Sequence, residues 1–441
     1  MLWSSDKNIF VLPRIIIVIF TCTILSAILF INLVNRPVYD DGFNIYDVHG
    51  YAQKGISSTS LRAQRNAPGP GSFAWMAAGV RLLHGEELRD ARLASLASWI
   101  LLVVGVLIAA PYTGFPQLWY AALLAALIFP HSAMATATLL TEGPAQLFAI
   151  MGVLVWIESI SRPKITPSLF VLSSVAGLAM GLATISRQYY LALLPAAGAV
   201  ALYQFRRRAL SDGPPWMASV ILSLVTAATP MLLLFHVWRG ITSPSMAAGI
   251  SYSNYQAGLG LNFLRPVVAS FCIGFYLVPL TFPIMWQMQP RLRWRALLAA
   301  FFIGMVAVRF RENIVNIGVL HSVIGTLSRL PLNGVIVFGF IAMVIIYNAI
   351  AFGLLVWEKR AIVLESPPIL FALLIVLFYI WEQFGVGGNV PFYDRYVFPL
   401  APFMGLLAFS LIPELTYPRL VVGLGMYLFG QGLLWRLSDL R

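Results

Sequence analysis

A succession of apolar runs, most of them close to the length that crosses a bilayer, constrains this chain more than any other feature. The first extends from Ile15 to Leu33. Others follow at Leu93 to Ala110, Leu118 to Ala133, Ala145 to Ile157, Leu169 to Ile185, Tyr190 to Phe205 and Trp216 to Val237. The second half adds Pro266 to Trp286, Ala296 to Val308, Val335 to Trp357, Ile369 to Trp381, Val397 to Leu411 and Leu420 to Leu434. At ~20 apolar residues per crossing, with short and proline-broken runs included, this reads as about thirteen transmembrane helices. Only 10% of the 441 residues are charged and 59% are hydrophobic, whereas soluble domains hold about a quarter charged residues. Because backbone polar groups in lipid satisfy one another only in helices or closed barrels, runs of this length predict an all-α, polytopic membrane helical bundle. One integral-membrane domain over residues 1–441 is expected, with no repeat or soluble domain.

The stretch at about 36–90 is too polar to span. It carries Ala67-Pro68-Gly69-Pro70-Gly71, a turn signal, and then a one-sided apolar pattern from Ser72 to Leu83, which reads as an external loop with helices lying in the membrane interface. Orientation follows from basic residues. Lys7 and Arg14 precede the first run, and Arg162 with Lys164, Arg206 to Arg208, Arg291, Arg293, Arg295, Lys359 and Arg360 fall on the same side when spans alternate. That side is cytoplasmic by the positive-inside rule. The net charge of +12 therefore belongs to membrane topology and implies no nucleic-acid partner. The first run is long and lacks a small-residue cleavage pattern, so a retained signal anchor is expected. Cys22 and Cys272 both lie in apolar runs, which argues for neither a disulfide framework nor a thiolate metal site.

Two sets of charged residues stand out against this background. Asp40 and Asp41, in Pro37-Val38-Tyr39-Asp40-Asp41-Gly42-Phe43-Asn44, follow directly on the first span. If the chain is helical from there, Asp40, Asn44, Asp47 and Tyr51 share one face. Arg187, Arg309, Arg311, Arg329 and Arg395 form the second set, all on the expected external side near span ends. One such arginine reads as snorkelling to lipid headgroups; five on one side read as a phosphate site, since guanidinium binds phosphate at two points and stays charged. Glu142 stands in a tight external turn, Thr141-Glu142-Gly143-Pro144, where it either caps the following helix, orients an arginine or binds an acceptor. The histidines are scattered without ligand-like spacing, so no metal site and no cofactor are expected, and a divalent cation is not indicated.

In their order along the chain these motifs resemble the GT-C superfamily of polyprenyl-phosphate-sugar-dependent glycosyltransferases. Asp40-Asp41-Gly42-Phe43-Asn44 is similar to the Asp-Glu-x-Phe-His of the eukaryotic enzyme that adds the terminal α-1,2-glucose to the dolichol-linked oligosaccharide. Aspartate 41 stands for that motif's glutamate and asparagine 44 for its histidine. Thr141-Glu142 resembles its Thr-Glu, Arg187-Gln188 its Arg-Gln, and Asp394-Arg395-Tyr396 its Asn-Arg-His-Tyr. The resemblance implies an inverting hexosyltransferase in which the first-loop aspartate is the general base, which assigns that role to Asp40, with Asp41 as the alternative. It implies a donor phosphate bound by Arg187 and Arg395, together with Arg309, Arg311 and Arg329. Acceptor-binding or orienting roles fall to Glu142, Gln188, Asn44, Asp394 and Tyr396.

The chemistry is consistent with the residues taken alone. Moving a sugar from a lipid phosphate to a hydroxyl needs a base for the hydroxyl proton and cations for the departing phosphate. The partners are then a polyprenyl-phosphate-linked sugar, a hydroxyl acceptor on a lipid-linked glycan, a glycan or a protein, and membrane lipid. The expected membrane is a prokaryotic cytoplasmic (inner) membrane with the site outside, or an endoplasmic reticulum membrane with the site in the lumen. The rival reading is a multi-pass transporter or flippase of a lipid-linked or anionic substrate, which expects charges at mid-membrane depth and two similar halves. Here nearly all charges collect at span ends.

Overall fold

The computed structural model describes residues 11–38, 40–66, 69–162, 166–207, 213–240, 243–245, 262–281, 289–311, 323–324, 333–385 and 394–412. Lys7, Tyr39, Lys164, Arg208, Arg329 and the run from Leu420 to Leu434 lie outside the described residues. Among those described, every regular element is helical, as the need to pair backbone groups inside lipid dictates.

Eight of the described helices are long and apolar enough to cross a membrane: Leu12–Leu33, Glu87–Tyr112, Glu142–Ser161, Pro167–Ser186, Pro215–Trp238, Leu264–Thr281, Gly334–Glu358 and Pro367–Gly385. The protein is thus a polytopic helical membrane protein. Three further runs form shorter helices, Pro116–Ile128, Leu193–Phe205 and Ala401–Leu411. Pro130 follows the first of these, where its missing N–H and its ring oppose continuation, and a short helix Ser132–Ala137 takes up the chain beyond it. The other two are each preceded by a 3-10 segment, Gln188–Ala192 and Asp394–Leu400.

The chain divides into two compact units, one built from residues 3–127 and 132–256 and the other from residues 128–131 and 257–441. The first unit holds α1 (Val11–Leu33), α2 (Asp41–Lys54), α3 (Ser58–Ala63), α4 (Pro70–Leu83), α5 (Glu87–Ala109), α6 (Pro116–Ile128), α7 (Ser132–Ala137), α8 (Glu142–Ser161), α9 (Pro167–Ser186), α10 (Leu193–Phe205) and α11 (Gly213–Trp238). Helix α9 packs on both α8 and α11. Its Gly177 and Gly181 let α11 approach closely, because a Cβ at either would overlap the carbonyl oxygen of Ser223 or Ala227, the small-residue contact that membrane helices favour. The stretch expected as a loop with helices forms α2, α3 and α4. Val48, Tyr51, Phe73, Met76, Ala77, Ala91 and Leu139 form the core that joins α2, α4 and the start of α5. Each large apolar side chain buried there contributes about 1.5–3 kcal/mol. That core seats α2 against the residues leading into α8.

The second unit holds α12 (Leu264–Thr281), α13 (Pro290–Arg309), α14 (Gly334–Glu358), α15 (Arg360–Glu365), α16 (Pro367–Gly385) and α17 (Ala401–Leu411). Helix α12 packs on α14 and α16, and α13 packs on α14 around Ala296, Ala300 and Tyr347. Phe129 stacks on Phe398 with ring centroids 5.2 Å apart. Two polar contacts lie buried between these helices: Asn348 Nδ2 donates to Thr281 Oγ1 at 2.6 Å, and Arg265 Nε donates to Gln383 Oε1 at 2.9 Å. Polar groups in apolar surroundings require partners of this kind.

Candidate active site

The acidic pair divides into two unlike residues. Asp40 is the N-cap of α2, with φ −80° and ψ −2°; its carbonyl accepts from Phe43 N–H at 3.0 Å and Asn44 N–H at 2.9 Å, and its half-buried side chain does not cap the helix. Asp41, the first helical residue, is fully buried. Its Oδ2 accepts from Arg92 Nη2 at 2.5 Å, Arg92 Nε at 3.1 Å and Val38 N–H at 3.1 Å, and its Oδ1 from Leu139 N–H at 2.6 Å. Burial holds the Asp41 carboxyl above its ordinary value, against the opposing pull of Arg92 and the two backbone donors.

The polar stripe faces inward and, expected to start at Asp40, starts at Asp41 instead, because Asp40 stands at the N-cap outside the helix. Asn44, Asp47 and Tyr51 are all buried, because this face of α2 packs on α4. Asn44 Nδ2 donates to Leu139 O at 2.7 Å. Asp47 accepts Arg65 N–H at 2.9 Å on Oδ1, and on Oδ2 it accepts Asn66 N–H at 3.0 Å and Asn66 Nδ2 at 2.8 Å. Burial, its largest cause, again raises the Asp47 carboxyl from its ordinary value despite these donors. Tyr51 Oη donates to Gln64 Oε1 at 2.9 Å; burial and the nearby Asp47 charge push the Tyr51 hydroxyl upward.

Glu142 and Arg187 meet in the same unit. Arg187 Nη2 lies 2.5 Å from Glu142 Oε1, with both side chains buried. The local backbone explains the meeting. Glu142 opens α8, preceded by Thr141, whose carbonyl accepts from Ser72 Oγ at 2.7 Å. Arg187 follows the last residue of α9 in an extended conformation, φ −149° and ψ 114°, which swings its side chain away from the helix axis. Gly69, just before α4, lies so close to Ile185 that a Cβ would overlap the Ile185 carbonyl oxygen. The guanidinium of Arg187 also lies over the Tyr189 ring, 5.5 Å from its centroid. Glu142 Oε2, Ser186 Oγ and Tyr190 Oη are buried without a hydrogen-bond partner among the described residues. Gln188 is exposed.

The remaining expected site residues belong to the second unit. Arg309 ends α13 and Arg311 follows it, both exposed. Asp394 opens the 3-10 segment before α17, and Arg395 beside it is half-buried, with its guanidinium 5.6 Å from the Tyr396 ring centroid. Tyr396 is buried, and its carbonyl accepts from Tyr379 Oη at 2.5 Å. Arg92 escaped the sequence reading. It sits one residue before the apolar run that begins at Leu93, and the signal was there: an arginine inside a membrane-length helix asks for a partner. Among the described residues no three His, Cys, Asp or Glu side chains converge as metal ligands.

Buried ion pairs at the ends of membrane-length helices, with apolar packing between, define the class: a multi-pass helical membrane protein whose polar nodes stand at helix termini. No family model and no curated protein matches the chain. Among solved structures it is similar to ArnT from Cupriavidus metallidurans bound to undecaprenyl phosphate, with a TM-score of 0.51 and 14% identity over 98% of this chain and 64% of that chain. The chain has that fold and spans 64% of that protein's length. ArnT from the same organism in the apo state aligns with a TM-score of 0.41 and 17% identity, covering 90% of this chain and 77% of that one. An Archaeoglobus fulgidus oligosaccharyltransferase tethered with an acceptor peptide aligns at 0.33 and 11% identity, covering 88% and 55%.

Proposed function

We propose that this protein is a GT-C glycosyltransferase that moves a sugar from a polyprenyl phosphate to a hydroxyl acceptor. The observation that carries the reading is the linked polar network at helix ends. The Asp40–Asp41 pair at the start of α2 and the Glu142–Arg187 pair at the ends of α8 and α9 are tied together through the segment 139–142. The fold shared with an undecaprenyl-phosphate-bound protein supports the same class of donor. A transporter would place such charges at mid-span; these stand at termini.

In this reading the acceptor oxygen attacks the anomeric carbon while the bond from that carbon to the phosphate oxygen breaks, with inversion. The hydroxyl proton passes to Asp40. An alcohol is far too weak an acid to be ionised beforehand, so the proton moves as the new bond forms. The departing phosphate gains charge, and Arg187, oriented by Glu142, meets it with a fixed cation. Arg395, Arg309, Arg311 and Arg329 are assigned to the same phosphate, and Asn44, Gln188, Asp394 and Tyr396 to the acceptor or to orientation. The finer assignment is a hexosyltransferase of the dolichyl-phosphate-glucose type, acting on the external face.

The test is release of polyprenyl phosphate from a panel of sugar-loaded polyprenyl-phosphate donors by purified protein in nanodiscs. Wild type releases it from at least one donor, and Asp40→Asn, nearly the same size but without the proton acceptor, loses about a hundredfold or more in turnover. No release from any donor, or full activity in Asp40→Asn, overturns the reading or the assignment of the base respectively.

A further inference from the structure

Asp41 shares its motif with Asp40, yet its surroundings suit a different task. An ionised carboxylate offers about four lone-pair sites, and this one takes four donors, from Arg92, Val38 and Leu139. Three of the four fall on Oδ2 and one on Oδ1, and the carboxylate is fully buried, out of reach of a substrate hydroxyl. The guanidinium of Arg92 is equally committed: besides Asp41 it donates from Nη1 to the Val34 carbonyl and from Nη2 to the Arg36 carbonyl, the latter at 2.9 Å. The pair therefore ties together the exit of α1, the first turn of α2 and the backbone at Leu139. Leu139 is gripped a second time by Asn44, and three residues further on Glu142 holds Arg187.

We infer that Asp41 is a positioning residue: with Arg92 it clamps the first turn of α2, which carries Asp40, onto the segment 139–142, which carries Glu142 and through it Arg187. The kinetic half of this inference rests on the glycosyl-transfer reading; the structural half stands on the hydrogen bonds alone. The clamp gives two groups that are distant in the chain a common reference. Such a reference matters because a displacement of about 1 Å at a reacting centre costs on the order of a hundredfold in rate.

The test uses the full-length protein in phospholipid nanodiscs, with hydrogen exchange of the 139–142 backbone and the kcat and KM of donor turnover as separate readouts. Asp41→Asn keeps an acceptor for the Leu139 amide but leaves the Arg92 guanidinium buried without its counter-charge. Exchange at 139–142 should then rise about tenfold or more, and kcat per folded molecule should fall about a hundredfold with donor KM within about threefold of wild type. Asp41→Asn combined with Arg92→Met removes both charges. It should restore protection at 139–142 and raise kcat at least about tenfold above the single variant. A base at position 41 forbids that recovery, since neither variant has a carboxylate there. Unchanged exchange in Asp41→Asn, or a double variant no faster than the single one, overturns the inference. If Asp41→Asn does not fold, Arg92→Lys keeps the charge and loses the two-point contact; it should raise exchange at 139–142, and wild-type exchange there overturns the clamp. A wild type silent on every donor counts against the transfer reading, while the exchange arms still decide whether the clamp exists.

Discussion

Arg187 Nη2 and Glu142 Oε1 stand 2.5 Å apart, with both side chains buried. Removing one member of a buried pair strands the other and costs about 3–5 kcal/mol, so Glu142→Gln is expected to lower the thermal midpoint in detergent and to weaken donor binding as Arg187 loses its orientation. Arg187→Lys keeps the charge and loses the planar fork. Arg187→Lys and Arg395→Lys are each expected to reduce polyprenyl-phosphate affinity by about 1.5–3 kcal/mol, the scale of a hydrogen bond to a charged group. Donor affinity unchanged in both Arg187→Ala and Arg395→Ala returns these arginines to a headgroup-anchoring role. The same scale separates the two aspartates: Asp40 has its carboxyl half-buried at a helix entry, whereas Asp41 is enclosed by four donors.

Helix α4 is placed by its first residues. Because a side chain at position 69 collides with the Ile185 carbonyl, Gly69→Ala must push the start of α4 away from the end of α9, beside Arg187. A destabilisation of about 1–3 kcal/mol is expected, as for other overpacked contacts, read as a lower melting temperature together with a loss of turnover. The α2 element carries a pH signature as well. Burial raises the Asp47 carboxyl from its ordinary value, so the folded chain keeps a proton there at pH values where the unfolded chain has released it. The stability gained is complete below the unfolded value and is lost as pH rises through the raised folded one. The melting temperature of wild type relative to Asp47→Asn should therefore climb as pH falls from about 7 to about 4, through the ordinary carboxylate range. A flat difference over that range tells against the buried setting of Asp47.

At the scale of the whole molecule the remaining expectation is topological. Between the exit of α1 and the end of α8 the chain passes through α5, α6 and α8, an odd number of passes if α6 crosses despite its 13 residues. Single cysteines at the exposed positions Arg36 and His84 should then react with an impermeant thiol reagent in intact cells, and those at Arg162, Arg207 and Arg360 only after permeabilisation. Labelling of positions 36 and 162 from the same side removes α6 as a span and reverses every assignment after it.

By itself the sequence determined that this is an all-helical membrane protein, since apolar runs of that length in lipid have few other ways to satisfy their backbone. It also determined that an acidic pair follows the first span and that Arg187 ends another span; Glu142, which it places in a turn before a helix, is in the structure the first residue of that helix. Those are local facts, written in periodicity, proline and charge. Which aspartate is buried was not legible, because Asp40 and Asp41 are the same residue in the same motif. Arg92 was hidden at the edge of an apolar run. The contacts that separate these residues join positions 51, 98 and 45 apart in the chain, and no local pattern encodes a partner at such a distance. Only the packing of α2 and α4 against the 139–142 segment, and of α8 against α9, decided that Asp41 meets Arg92 and Leu139, and Glu142 meets Arg187.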